Sequence, residues 1–111
     1  IGVFAFSSCS SLTSVTFGEN SQLTSIGEGA FKNCSSLTSV TFGENSQLTS
    51  IGNDAFRSCS SLTSIEIPNS VTSIGDNAFD KCSTIKEITL PSSIESIGSY
   101  SFNQCTNLSV I

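Results

Sequence analysis

Apolar residues return along this chain at fixed offsets from a recurring cysteine. Three places after Cys9, Cys34, Cys59, Cys82 and Cys105 stand Leu12, Leu37, Leu62, Ile85 and Leu108, and six places after stand Val15, Val40, Ile65, Ile88 and Ile111. Eight places after come Phe17, Phe42, Ile67 and Leu90. The last part of this L-x-x-V-x-F pattern alternates with period two, which predicts a short strand with one face turned inward. Its outward positions are Ser14, Thr16, Ser39, Thr41, Ser64, Glu66, Glu87 and Thr89. A second apolar pair follows, Leu23/Ile26, Leu48/Ile51, Val71/Ile74 and Ile94/Ile97, and suits a second short strand on the opposite side. Gly27, Gly52, Gly75 and Gly98 are expected to end it with a bend. Beyond them, Glu28-Gly29-Ala30-Phe31 and its counterparts predict a turn or a one-turn helix whose Phe plugs the interior. Asp and Asn there are suited to capping free backbone N–H groups. One turn of helix is too short to hold alone, so it depends on stacking.

The pattern is a repeat. Ile-Gly recurs at Ile1, Ile26, Ile51, Ile74 and Ile97, in steps of 25, 25, 23 and 23 residues, and the stretch from Cys9 to Gly27 returns letter for letter from Cys34 to Gly52. Strands stacked at about 4.8 Å make a parallel sheet whose inward residues form ladders. The whole chain therefore reads as a single array, residues 1–111, with units starting at about 1, 26, 51, 74 and 97 and the last unit partial. It begins in mid-repeat and stops at Ile111 in mid-strand, which predicts a fragment of a longer array, with targeting signal and caps outside it.

One turn changes length. It is Gly-Glu-Asn-Ser-Gln at Gly18–Gln22 and Gly43–Gln47, but Pro68-Asn69-Ser70 and then Pro91-Ser92-Ser93 in the next two repeats. These are turn residues by mechanism: Gly admits positive φ, Pro fixes φ, and Asn or Ser bonds back to the chain. The two-residue difference accounts for the whole change of period. The longer turns follow the bulkier Phe17 and Phe42, as expected if a thicker core needs a longer perimeter.

The consensus L-x-x-I-x-L-P-x-S-V/I-x-x-I-G-x-x-A/S-F-x-x-C resembles the BspA-like class of leucine-rich repeats. It is met best by Leu62 to Cys82 (LTSIEIPNSVTSIGDNAFDKC) and Ile85 to Cys105 (IKEITLPSSIESIGSYSFNQC), while the two N-terminal units replace Pro by Gly. The period lies within the roughly 20–29 residues of leucine-rich repeats. The resemblance implies a β-rich, right-handed solenoid with a parallel sheet on one side. It also implies a cell-surface or secreted, adhesin-like protein that attaches to host proteins or other cells.

Composition and charge narrow the chemistry. Only 12% of residues are charged, so Ser, Thr and Asn must do the solvating. The net charge of −5 argues against a nucleic-acid backbone, which needs a basic stripe. No apolar run approaches the roughly 20 residues of a membrane span. With no His, Ser-His and Cys-His nucleophile pairs are missing. Glu66 and Glu87 lie near one another on the outward face, where two like charges are better solvated than shared as an acid/base dyad. The five cysteines have neither a CxxC nor a His to complete a zinc site. One per coil at one corner, their side chains should run parallel, which strains a disulfide. A buried ladder of free thiols is the expectation. Lys32, Arg57 and Lys81, beside their cysteines, are expected to balance Asp and Glu on the same turns, Asp80 among them. Two Asn-x-Ser sequons, at Asn33 and Asn107, have an interior residue in the middle and receive no glycan assignment. Thr13 and Thr16, placed on opposite faces of a strand, argue against an ice-binding array. Tyr100 and Phe4 break the repeat pattern and are expected to be exposed.

Display remains. Solenoids commonly bind through an extended sheet surface, here the eight outward residues from Ser14 to Thr89. The sequence therefore predicts a non-enzymatic protein-binding module without cofactor or metal, whose partners are extracellular-matrix or host surface proteins. The alternative is a structural spacer within a larger surface protein. Uncapped ends add end-to-end self-association.

Overall fold

The computed structural model describes residues 1–109; Ile111, expected to close the Val/Ile ladder, lies outside them. Among the described residues eight strands occur in chain order: β1 (Ser14–Thr16), β2 (Ser25–Ile26), β3 (Ser39–Thr41), β4 (Ser50–Ile51), β5 (Ser64–Glu66), β6 (Ser73–Ile74), β7 (Glu87–Thr89) and β8 (Ser96–Ile97). Every pairing is parallel and joins one coil to the next. The chain is thus a β-solenoid of about four coils. Its second strands form one four-stranded sheet, β2-β4-β6-β8. The first strands do not: they split into β1-β3 and β5-β7.

That split corrects the expectation of one continuous sheet on this side. It falls between the last coil with a five-residue turn and the first with a three-residue turn. Elsewhere a backbone bond extends the ladder past the strand, from Phe17 N–H to Thr41 O at 2.9 Å and from Ile67 N–H to Thr89 O at 3.0 Å. The equivalent bond from Phe42 N–H to Glu66 O is absent. A wide coil with Phe42 inside meets a narrower one with Ile67 inside, and the mismatch is taken up at this wall alone.

The interior is a set of columns. Phe6, Phe31, Phe56, Phe79 and Phe102 stack with ring centroids 5.3–5.7 Å apart and planes within 8° of parallel. Phe17 and Phe42 form a shorter column, 5.3 Å apart. Leu37, Leu62 and Ile85, with Val40, Ile65 and Ile88, fill the first wall, and Ile26, Ile51 and Ile74 the second. Buried apolar area of this kind supplies about 25 cal/mol per Å2, and each coil gains it only from its neighbours.

The corner carrying Phe is a run of turns, and among the described residues there is no helix. Alternate amides explain this. Ala30, Lys32 and Cys34 N–H groups bond within the coil, to Gly27, Gly29 and Phe31, at 3.1–3.3 Å. Those of Gly29, Phe31 and Asn33 bond across to Asn53, Ala55 and Arg57 in the next coil, each at 2.8 Å. Left-handed residues recur four apart, as at Gly29 and Asn33 or Asp54 and Ser58, and break any helical run.

Two glycine readings are corrected. Gly75 is needed for contact between coils rather than for a bend: a Cβ there would stand 2.5 Å from the Asn53 backbone nitrogen. In the long turns the positive φ belongs to Asn20 and Asn45 (57° and 58°) rather than to Gly18 or Gly43. Thr13 also departs from expectation. It precedes β1, so strand alternation does not reach it, and it is exposed like Thr16.

Candidate protein-binding face

The eight outward residues lie on β1, β3, β5 and β7, and all are exposed. Each flanks a core residue, since the strand pattern is polar–aliphatic–polar: Ser39-Val40-Thr41 on β3 and Ser64-Ile65-Glu66 on β5. The register sets Ser14 beside Ser39 and Thr16 beside Thr41, then Ser64 beside Glu87 and Glu66 beside Thr89. Glu66 and Glu87 are therefore diagonal neighbours rather than directly opposite, and both face water. The face consists of two hydrogen-bonded halves meeting at the split between β3 and β5.

The thiol corner has a different character. Cys34, Cys59 and Cys82 are buried, and all five cysteines are free. Each of the last four donates from Sγ to a Phe carbonyl one coil back: Cys34 to Phe6, Cys59 to Phe31, Cys82 to Phe56 and Cys105 to Phe79, at 3.1–3.2 Å. Burial, and then the neighbouring thiol of Cys34, push the Cys59 pKa up to about 12. Cys82 is raised in the same way. These are protonated, inward-facing groups at neutral pH, which suits them to structure rather than to nucleophilic or metal chemistry.

Beside this corner Arg57 bridges coils, its Nε 3.2 Å from Asp80 Oδ2, and its guanidinium also reaches Asp54 Oδ1 at 3.6 Å. Asn103 Nδ2 donates to the other Asp80 oxygen at 3.1 Å. The pairing expected between the basic ridge and Asp80 is therefore present at Arg57. Tyr100 and Phe4 are exposed, as their breach of the pattern suggested.

Sequence reasoning missed a depression of about 470 Å3 next to the face, between the second and third coils. Phe42, Glu44, Asn45 and Asn69 line it, and Glu66 is shared with the face. Its signal was present in the shortening of Gly43–Gln47 to Pro68–Ser70, but a change in loop length does not by itself reveal an opening.

Three solved structures match the fold. A leucine-rich repeat protein of Treponema pallidum superposes with a TM-score of 0.92 at 33% identity, over 99% of this chain and 50% of its own. A leucine-rich cell surface protein of Faecalibacterium prausnitzii gives 0.92 at 40% identity, over 100% of this chain and 28% of its own. A leucine-rich repeat protein of Bacteroides ovatus gives 0.86 at 38% identity, over 95% and 26%. The chain thus spans half or less of the length of these relatives. Comparison with curated proteins returned no match. The family described as BspA type Leucine rich repeat region matches residues 1–109 in six copies. With its coil-by-coil ladders and its agreement with three such structures, the chain belongs to the BspA-type leucine-rich repeat family.

Proposed function

We propose that this chain is a non-enzymatic protein-binding module of a cell-surface or secreted, adhesin-like protein. Its partners are extracellular-matrix or host surface proteins, met on the outward face of β1, β3, β5 and β7. The observation that carries this reading is the regular exposure of all eight polar face residues on a framework whose opposite side chains are locked in core columns. Leucine-rich repeats generally serve protein–protein contact, and the Faecalibacterium relative is described as a cell surface protein. Each hydroxyl contributes little alone, so affinity sums over coils.

A binding screen of the chain against immobilised matrix proteins, with Ser39→Arg, Thr41→Arg, Ser64→Arg and Glu66→Arg variants, tests it. Partner capture lost in these variants supports the face. Capture unchanged by them removes the face as the site, and no capture at all favours the structural spacer. Self-association belongs to the same proposal, through Val3, Phe4 and Phe6 exposed on the first coil and Ile97 and Tyr100 on the last. Light scattering that finds only monomer at high concentration removes that part.

A further inference from the structure

The depression at the junction of the two coil sizes has a composition of its own. Phe42 forms part of its wall. One side of that ring is stacked on Phe17, 5.3 Å away; on its other side the next coil offers Ile67 instead of a ring. Glu44 and Glu66 supply carboxylates, and no Lys or Arg is among the lining residues. Asn45 donates from Nδ2 to Asn20 Oδ1 at 2.9 Å. Asn69 of the shortened turn lies across the opening from Asn45. The Phe42 N–H has lost the coil-to-coil partner that Phe17 and Ile67 keep.

An aromatic side chain and two carboxylates around one opening, with no basic residue among them, describe a receptor for a planar cation. Guanidinium stacks on aromatic rings and forks onto carboxylates, whereas a neutral hydroxylated ligand leaves both negative charges uncompensated. The geometry points to this notch as a docking pocket for an arginine side chain carried by a basic segment of a partner protein. The inference deepens the protein-binding reading and rests on it for the nature of the partner. It places the specific contact at the seam between coil sizes, with Glu66 common to notch and face.

The test is a titration of the isotope-labelled chain with acetyl-Arg-Arg-Arg-amide, followed by amide NMR. Shifts should gather on Phe42, Glu44, Asn45, Glu66 and Asn69. Glu44→Gln and Glu66→Gln should each weaken binding about two- to fivefold, the scale of an exposed ion pair. Glu19→Gln removes the same charge from the equivalent residue one coil earlier, outside the notch, and should change nothing. An equal loss in Glu19→Gln, or shifts scattered over the chain, would overturn the pocket in favour of a general negative field. Shifts at these amides with N-acetylglucosamine but not with the peptide would overturn it in favour of a saccharide site. Ser39→Arg and Thr41→Arg, which abolish partner capture if the face is used, should leave Glu44-dependent peptide binding in place. Failure of the face and failure of the notch are thus separable.

Discussion

Cys59 Sγ donates to the carbonyl of Phe31 one coil back at 3.2 Å, while the same carbonyl accepts the Cys34 N–H at 3.3 Å. Both lone pairs of a buried oxygen are thereby satisfied, one from within the coil and one from the next. A repeating thiol therefore serves as a hydrogen-bond donor of small volume, fitted under a ring column that has no room for a larger group.

Cys59→Ala should cost about 1–3 kcal/mol, from a lost bond, an under-satisfied carbonyl and a small void. Cys9→Ala, at a half-buried thiol on the first coil, should change stability by less than about 0.5 kcal/mol. Urea unfolding of the two variants measures the difference.

The buried thiols should leave stability unchanged from pH 7 to about 8.5 and lower it above that. An unfolded thiol ionises near its ordinary value of 9.0, while folded Cys59 holds its proton to about 12. Between those values the unfolded state binds fewer protons, so the slope of stability with pH is negative, about 1.4 kcal/mol per pH unit for each such thiol. Thermal melts from pH 7 to 11 on the parent and on Cys59→Ala/Cys82→Ala should show a shallower alkaline loss in the double variant.

Gly75→Ala should destabilise by about 1–3 kcal/mol, because backbone of the preceding coil lies where the methyl must go. Gly18→Ala should be neutral or slightly stabilising, since nothing lies within 4 Å of its added Cβ and its φ is not left-handed. Melting temperatures of the pair separate close approach from chain flexibility as the reason for glycine.

Replacing Gly43–Gln47 by Pro-Asn-Ser, together with Phe42→Ile, should give the second coil the dimensions of the third. β3 should then join β5-β7 and the notch should close, while the mismatch moves to the junction with the first coil, which keeps Phe17 and its five-residue turn. Hydrogen exchange reads this directly, through new protection at the amide of residue 42.

Much of the molecule was legible from spacing alone. Val40 and Ile65 recur at one offset because each must occupy the same place in its coil, and Phe31, Phe56 and Phe79 likewise. The outward exposure of Ser39 and Thr41 follows from the same alternation. What spacing does not contain is the distance between coils. The role of Gly75 depends on how near Asn53 comes, and the split between β3 and β5 on whether unequal coils share a register. Thr13 was misplaced because alternation was carried one residue beyond the strand. Turn was not distinguished from helix at Gly29-Ala30-Phe31 because the deciding factor, amides reaching Asn53 and Ala55, lies in another repeat.

The split also sets how the stack responds to pulling. Coils drawn apart along the axis separate one interface at a time, and each interface resists through two walls and a corner of hydrogen bonds. Between Phe42 and Ile67 one of those walls carries no ladder. Under traction the array should yield there first, with β1-β3 and β5-β7 still paired on either side. A shortened turn thus gives an otherwise uniform rod a defined breaking point.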